Sequence, residues 1–219
     1  MDKTQESVLI GTMLGDGGLR YKGRNCRLHI KHAAWQLPLV QFKHEAFRSF
    51  VSMKIREFTQ VVKGKRYSFA EFVSRINPDF TIFYNIFYRD GKKIVPKNIE
   101  TLLTEPLSLA VWFMDDGSAE YAGASFQTHC FSKSEVELLQ RCLERNFCLS
   151  MTVRRNKGKW ILYVPKRNLI RFRSLVEPFM LDRFLYKLIP YSVKNKTNPV
   201  ETARRVPIIS GYDTVRSAR

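Results

Sequence analysis

Two strongly apolar segments of the chain end in the same way, with an acid followed by glycine. Residues 8–18 read VLIGTMLGDGG, and residues 109–121 read LAVWFMDDGSAEY. Apolar runs of this kind are typical of buried helices, and the glycine after each acid favours a helix end. An acid at a helix C-terminus is disfavoured by the negative end of the helix dipole, so it needs a nearby cation or a local role in starting a turn.

Shorter segments between these runs show the patterns of strands and of amphipathic helices. In CRLHIKH (residues 26–32) and ASFQTHC (residues 124–130) apolar and polar residues alternate, which predicts two half-buried strands. Basic turns lie between strand-like runs at residues 59–69 and 150–164. Helical spacing is found at residues 35–50, at residues 134–147 after a capping Ser132, and at residues 168–180.

These features recur in the same order in both halves of the chain. Asp16 and Asp116 lie about 100 residues apart, and each is followed by an alternating stretch, a basic turn, and a lysine before two aliphatic residues and a proline. The last feature occupies residues 93–96 and 187–190. The repetition predicts a duplicated domain with the order helix, two strands, helix, two strands, helix in each copy. We expect an N-terminal subdomain at residues 1–103, a C-terminal subdomain at 104–191 and a basic tail at 192–219.

The charge indicates the class of partner. The 219 residues include 37 Lys and Arg against 20 Asp and Glu, which gives a net charge of +17. An excess of this size in a chain with 44% hydrophobic residues favours nucleic acid as the partner. The alternative is a ribosomal or merely soluble basic protein.

Other features argue for an intracellular protein. The sequence has neither a membrane-spanning run nor the pattern of a signal peptide, so we expect no membrane contact and no secretion, with bacterial cytoplasm and organelle matrix undistinguished. The four cysteines have no CxxC spacing, which opposes a zinc or redox site and suits a reducing compartment. His29 and His32, three apart in a strand, face opposite sides and do not form a metal pair.

The repeated motif resembles a known family. VLIGTMLGDGG and LAVWFMDDGS resemble the two motif copies of single-chain LAGLIDADG homing endonucleases, and LTEPLSLAVWFMDDGS is similar to the I-SceI-like group encoded within group I introns. The resemblance spans residues 7–190 and is densest in the second motif and in YKLIP. It implies an α+β fold of two pseudo-twofold-related αββαββα subdomains, with two antiparallel DNA-binding sheets forming a saddle. Val111 replaces the small glycine of the family pattern, so Gly11 is expected to supply the small residue on one side only.

The resemblance also implies a metal site. Asp16 and Asp116 would face each other at the ends of two paired helices, a like-charge arrangement that is costly unless divalent cations lie between them. Oxygen ligands favour Mg²⁺, with Mn²⁺ as a substitute. The carbonyls of Gly15 and Asp115 would complete the coordination, while the Asp115 side chain is expected outside the direct metal contacts or facing solvent. The alternative is that each Asp-Gly pair only ends a helix with a tight turn.

The repeated lysines, Lys93 and Lys187, are expected to reach their own sides of the aspartate centre. The residue before a proline avoids the helical region, so each lysine would begin an extended segment of fixed direction. By the resemblance, each ammonium orients the hydrolytic water or offsets developing charge. The alternative is a surface lysine beside a turn.

The outward residues of the strands and the basic turns are the candidate DNA contacts. Arginine pairs well with guanine and glutamine with adenine, while basic hairpin tips suit phosphates, although such tips are also common as solvated turns. The candidates are Arg27, His29, Lys31, Lys63, Lys65, Arg66, Ser125, Gln127, His129, Thr152, Arg154, Lys157 and Lys159.

The expected function is that of a site-specific homing endonuclease. As a monomer, it would hydrolyse both strands of a long double-stranded DNA target with Mg²⁺ and so promote intron mobility. One alternative is a group I intron maturase that binds its own intron RNA, against which the intact acids and lysines stand without excluding a bifunctional protein. The other is a non-cleaving DNA-binding regulator on the same fold, which would be expected to lose an acid and to gain a helix-turn-helix domain.

Overall fold

One order of elements occurs twice along the chain in the computed structural model, which describes residues 1–194. The helices are α1 (Lys3–Leu14), α2 (Leu37–Ala46), α3 (Pro78–Phe87), α4 (Ile99–Leu102), α5 (Pro106–Asp116), α6 (Lys133–Phe147), α7 (Leu169–Val176) and α8 (Tyr191–Lys194). The strands are β1 (Gly18–Lys22), β2 (Asn25–Ala33), β3 (Arg56–Val62), β4 (Lys65–Val73), β5 (Tyr88–Arg89), β6 (Lys92–Lys93), β7 (Gly117–Ala119), β8 (Ala124–Phe126), β9 (Thr152–Asn156) and β10 (Lys159–Val164). The predicted order of helix, two strands, helix, two strands, helix is confirmed from α1 to α3 and again from α5 to α7.

The predicted basic tail lies almost wholly beyond the described part of the chain. Its first three residues belong to α8, and residues 195–219 lie outside the described residues. The subdomain boundaries at residues 103 and 191 stay predictions.

Helices α1 and α5 form the buried centre of the fold. Asp2 begins α1 through a capping box with Gln5, and Pro106 begins α5 at a position where the missing N–H costs nothing. Every residue from 7 to 14 and from 108 to 115 is buried. Helices that are apolar all round are interior helices, and these two pack against each other. Among residues 1–194 no helix is both long and apolar enough to cross a membrane.

The two helices approach each other most closely at the glycines of α1. A Cβ atom on Gly11 would lie 2.9 Å from the Cβ of Val111 and would collide with the carbonyl oxygen of Ser108. A Cβ on Gly15 would lie 2.5 Å from the Cβ of Asp115. The expectation that Gly11 supplies the small residue on one side only is therefore confirmed, and Val111 fills the space that it leaves.

Each copy contributes a four-stranded antiparallel sheet. The strand orders are β1-β2-β4-β3 and β7-β8-β10-β9, so both sheets are built from two hairpins in the same way. The predicted strand at residues 26–32 is confirmed as β2, with Cys26, Leu28, Ile30 and His32 buried and the intervening residues partly exposed. Helices α2 and α3 pack on the inner face of the first sheet, and α6 packs on that of the second. The face opposite these helices is the outer face of each sheet.

The predicted basic turns are confirmed as two-residue hairpin loops. Lys63 and Gly64 both have positive φ angles, 50° and 75°, and Lys157 and Gly158 repeat this with 47° and 79°. Turns of this kind match the twist of paired strands, and glycine adopts the second position without strain.

The second alternating segment was predicted too long. Strand β8 covers Ala124–Phe126 alone, whereas residues 124–130 were expected to be a strand. After Phe126 the chain leaves the sheet, because the Thr128 hydroxyl donates to the carbonyl of Trp160 and the Phe131 N–H donates back to the carbonyl of Thr128. His129 therefore lies in an exposed turn.

Replacing Gly11 by alanine should destabilise the fold. The added methyl group meets backbone and side-chain atoms of α5 that cannot move independently, and overpacking of this kind costs about 1–3 kcal/mol. Urea unfolding followed by circular dichroism measures the change. Gly18→Ala is the matched control, because its Cβ would have no neighbour closer than the Tyr88 hydroxyl at 3.7 Å. Equal stability of the two variants would contradict a close helix crossing at Gly11.

Candidate active site

Asp16 and Asp116 lie where the two central helices end. Asp16 follows the C-cap residue Gly15 of α1, and Asp116 is the last residue of α5. Burial, reinforced by the charges of Asp16 and Asp115, raises the pKa of Asp116 to about 8. The Asp16 side chain is half exposed, so one acid of the pair faces solvent and the other lies deeper. The acids that the repeat predicted to meet are thus close enough for the charge of Asp16 to oppose the ionisation of Asp116.

A lysine lies beside each helix end. Lys93 Nζ donates to the Gly15 carbonyl at 2.6 Å. Lys187 Nζ donates to the carbonyl of Met114 at 2.7 Å and to that of Asp115 at 3.3 Å. Each lysine therefore contacts the helix of its own copy, as the repeat predicted. Burial lowers the pKa of Lys93, and it lowers that of Lys187 to about 8.

The two lysines are held by different backbones, although their local sequences are alike. Lys93 ends the short strand β6, which a two-residue turn at Asp90 and Gly91 joins to β5. Lys187 lies in the 3-10 helix Asp182–Leu188. The expectation that both lysines begin an extended segment was wrong for Lys187, because the chain becomes extended only at Ile189, the residue next to Pro190.

Asp115 is held in the interior by a lysine that the sequence patterns did not single out. Its side chain is fully buried and accepts from Lys43 Nζ at 2.6 and 2.7 Å. It also accepts the backbone N–H of Asp16 at 3.2 Å, and His32 Nε2 lies 3.7 Å away. The expectation that left open a solvent-facing Asp115 is corrected, because the crossing of α1 and α5 encloses the side chain. Lys43 could have been noticed, since it replaces an apolar residue in the buried stripe of α2.

The atoms at the two helix ends are oxygen ligands. The two carboxylates supply them, and so do the carbonyls of Gly15 and Asp115, which already accept from the lysines. Each carbonyl oxygen has two lone pairs, so a bound lysine leaves one acceptor site. Within residues 1–194 no group of three or more His, Cys, Asp or Glu residues could hold a metal on its own. A cation here would need further oxygen from water or substrate, as Mg²⁺ often does.

An open pocket leads to Asp116. Residues that the sequence did not indicate form part of its wall, because they come from the turn after β2 and from the 3-10 helix of Lys187 rather than from the motifs. The lining residues are Trp35, Gln36, Asp115, Asp116, Gly117, Ser118, Gln127, Tyr186 and Lys187.

The outer face of the first sheet brings together the candidate residues of β2. Strand pairing places Arg27 opposite Arg20, and Lys31 opposite Glu71. Lys31 Nζ lies 4.2 Å from the centre of the Phe69 ring. Glu71 binds His29 Nε2 at 3.2 Å. The predicted row of Arg27, His29 and Lys31 is thus on one face, with an acid that the sequence reasoning missed fixing His29.

The outer face of the second sheet differs from expectation at Ser125 and at His129, which lies beyond the end of β8. Tyr163 pairs with Ser125 on one side and Thr152 on the other, so these residues share a face. The Arg154 guanidinium stacks 3.4 Å from the centre of the Tyr163 ring. Ser125 lies on this face as expected, but its side chain is fully buried, where it donates to Glu120 at 2.6 Å and accepts from Gln127 at 3.0 Å. Gln127 itself remains partly exposed at the end of the row.

The remaining candidates lie at the hairpin tips. All of them are exposed: Lys63, Lys65, Arg66, Lys157 and Lys159. Lys65 pairs with Val62, whereas Arg66 pairs with Val61 and points to the opposite face of β4. The β3–β4 tip can therefore present positive charge on both sides.

The chain matches known proteins along most of its length. The family model described as the LAGLIDADG DNA endonuclease family matches residues 6–172. The intron-encoded endonuclease ai4 of Dictyostelium discoideum is 32% identical over 139 residues, which cover 62% of this chain and 85% of that protein. The cytochrome b mRNA maturase bI2 of Saccharomyces cerevisiae is 26% identical over 200 residues, covering 84% of this chain. The chain spans about half of that maturase, 47%.

Solved structures confirm the fold class. The homing endonuclease I-WcaI bound to its DNA recognition sequence has a TM-score of 0.81 at 27% identity, covering 86% of this chain and 87% of that one. I-DmoI in complex with DNA and Mn has a TM-score of 0.50 at 21% identity, covering 79% and 96%, and at this identity it supports the fold alone. The predicted α+β fold with two four-stranded antiparallel sheets is confirmed.

Without divalent cations, Asp116→Asn should stabilise the protein, and the gain should grow with pH. The pKa of Asp116 in the folded state is about 8, well above the ordinary aspartate value of 3.8, so the folded state holds a proton that the unfolded chain releases. Stability therefore falls as pH rises between these two values, and the neutral asparagine removes that loss. Thermal midpoints measured in a chelator at pH 5 and pH 8 test this. Asp16→Asn is the control, and because that side chain is half exposed its gain should be smaller. A gain for Asp116→Asn that does not depend on pH would contradict the assignment.

Proposed function

The chain belongs to the LAGLIDADG DNA endonuclease family, and we propose that it is a site-specific homing endonuclease that cuts both strands of a long DNA target and promotes intron mobility. Asp16 and Asp116 carry this proposal, because two helix ends bring them into one crowded, like-charged site with a lysine beside each end. A fold needs no such site for its own stability. Cleavage of a phosphodiester with a bound cation does need one.

A divalent cation is the expected cofactor. The donor set at the helix ends is all oxygen, and a carboxylate whose ionisation is opposed by burial and by neighbouring acids gains from a bound cation. Asp16 and Asp116 would hold Mg²⁺, or Mn²⁺ as a substitute, with the carbonyls of Gly15 and Asp115 nearby. When bound, the ion polarises the phosphate and lowers the pKa of the attacking water.

The two lysines would act on the substrate from opposite sides of the aspartate pair. Each ammonium is fixed at one helix end by bonds to backbone carbonyls, so its position changes little during the reaction. There it can orient the attacking water or offset charge that develops on the phosphate. With its pKa lowered to about 8, Lys187 can also give up or take up a proton near neutral pH.

The outer faces of the two sheets would bind the DNA. They carry arginine, lysine, histidine and glutamine in rows, which suits contacts with base edges in the major groove. The excess charge of +17 suits the phosphates. Since one chain holds both acids, both lysines and both sheets, a monomer would suffice, with subdomains at residues 1–103 and 104–191.

A second candidate function is RNA binding as a group I intron maturase. The similarity to the cytochrome b mRNA maturase favours it, although this chain spans about half of that protein. The presence of both acids and both lysines favours the endonuclease. A non-cleaving DNA-binding regulator is disfavoured for the same reason.

Cleavage selection from a randomised DNA library tests the function. The protein is incubated with the library and Mg²⁺, and the ends that form are sequenced. Recovery of one long sequence cut on both strands is expected. If no DNA molecules are cut and a group I intron RNA is bound tightly in a parallel assay, the maturase function would replace the endonuclease function as the conclusion.

Replacing either Lys93 or Lys187 by a neutral residue should slow the cleavage of mainly one DNA strand. Lys93→Met and Lys187→Met each remove an ammonium from one side of the site, so nicked plasmid should accumulate, with one end-labelled strand cut at least tenfold more slowly. Asp16→Asn and Asp116→Asn are the controls, which should stop both strands while DNA binding survives. If both strands are cut equally slowly in both lysine variants, the lysines have no catalytic role and contribute only positive charge for DNA binding.

Removing the lysines of the β3–β4 tip should reduce the salt dependence of DNA binding. If about eight phosphates are neutralised, log Kd changes with log salt with a slope of magnitude about 7, and Lys63→Ala with Lys65→Ala should lower it by about one to two. Sequence preference should change little. The control is Lys97→Ala with Arg141→Ala, two exposed residues that line one pocket, of which Arg141 belongs to α6, the helix on the inner face of the second sheet. If both double variants change the slope by the same amount, the β3–β4 tip makes no specific contact with the DNA phosphates.

A further inference from the structure

The two copies of the chain differ at one matched pair of buried positions. Asp115 stands where the first copy has Gly15, and a side chain at Gly15 would collide with it, so the helix crossing has room for one carboxylate. At the same interval along the chain, Lys43 of α2 corresponds to Leu143 of α6, and both are fully buried. One copy thus contributes a lysine and the other an aspartate, and the corresponding glycine and leucine are uncharged.

The charged members of these pairs bind each other across the boundary between the copies. Lys43 Nζ donates to both carboxylate oxygens of Asp115 at 2.6 and 2.7 Å, and neither side chain is exposed. A buried ion pair is a weak source of stability, since apolar residues of similar volume often replace one without loss. Its retention beside the proposed catalytic centre points to a task other than stability.

The third hydrogen bond that Asp115 accepts indicates what this task is. The oxygen Oδ2 that accepts from Lys43 also accepts the backbone N–H of Asp16 at 3.2 Å. Asp16 follows the end of α1, where the backbone leaves helical geometry at Gly15, and its half-exposed side chain lies 3.9 Å from His32 Nδ1, which is beyond hydrogen-bond distance. The bond from its N–H to Asp115 is therefore a direct link between the two acidic motifs.

We propose that Lys43 is a positioning residue, which holds the Asp115 carboxylate in the orientation that fixes the backbone of Asp16 and aims the Asp16 carboxylate. This inference rests on the proposed nuclease function. Lys43 itself does not contact DNA, because it is fully buried. The arrangement positions Asp16 alone. Asp116 has no equivalent, because the residue of the first copy that corresponds to Asp115 is Gly15.

Three variants separate positioning from packing. Lys43→Leu copies the residue of the other repeat and leaves Asp115 unpaired, so it should lower stability. Combining it with Asp115→Asn removes both charges but keeps an oxygen acceptor for the Asp16 N–H. Combining it with Asp115→Ala removes both charges and the acceptor. The two double variants are matched in charge, and urea unfolding establishes that both are folded.

Single-turnover cleavage at saturating DNA and Mg²⁺ is the first measurement. The Lys43→Leu/Asp115→Asn variant should cut at least tenfold faster than the Lys43→Leu/Asp115→Ala variant, because it alone keeps an acceptor for the Asp16 N–H, while Kd for DNA should be the same in both. Equal rates in the two folded double variants would overturn the proposal and leave the pair a packing feature.

Hydrogen exchange of the Asp16 amide, followed by NMR, is a second measurement that does not depend on cleavage. The amide should be protected in the wild type and in the asparagine variant and should exchange faster in the alanine variant. Equal protection in all three would also overturn the proposal. Failure of the wild-type protein to cut any DNA while the exchange difference persists would instead overturn the nuclease function.

Discussion

The close crossing of α1 and α5 is the constraint on which the other features depend. Glycine at positions 11 and 15 of α1 lets Val111 and Asp115 of α5 enter the space between the helices. Because both helices are buried all round, their ends have fixed positions relative to the two sheets. One contact surface therefore determines where the acids lie and how the outer faces of the sheets are presented.

The crossing also concentrates negative charge, and the surrounding residues are arranged to offset it. Three aspartates lie at two helix ends that already carry partial negative charge. Lys93 and Lys187 bind the terminal carbonyls, and Lys43 neutralises the one acid that is fully enclosed. The pKa of Asp116 is nonetheless raised, which indicates that the lysines do not offset all of the negative charge at the site. A site with excess negative charge favours the binding of a divalent cation. The bound cation can in turn attract a phosphate group.

The duplication gives two similar sheets, but the copies are not equivalent. The hairpin β3–β4 has strands of seven and nine residues and extends beyond the body, whereas β9–β10 has strands of five and six. The first sheet also fixes its polar residues through Glu71, while the second buries Ser125 beneath Gln127. The two sheets therefore present chemically different outer faces.

The sequence alone determined the repeat, the order of elements and the identity of the paired acids and lysines, because these follow from local periodicity and from features that recur in the same order at broadly similar intervals. The capping Ser132, strand β2 and the glycine turns were predictable for the same reason. Tertiary structure decided the rest. The partner of Asp115 is 72 residues away in Lys43, the burial of Ser125 depends on neighbours in space, and the wall of the pocket comes from separate segments. A residue pattern carries information about its own helix or strand, whereas the charge and burial of a side chain depend on what the completed fold places against it.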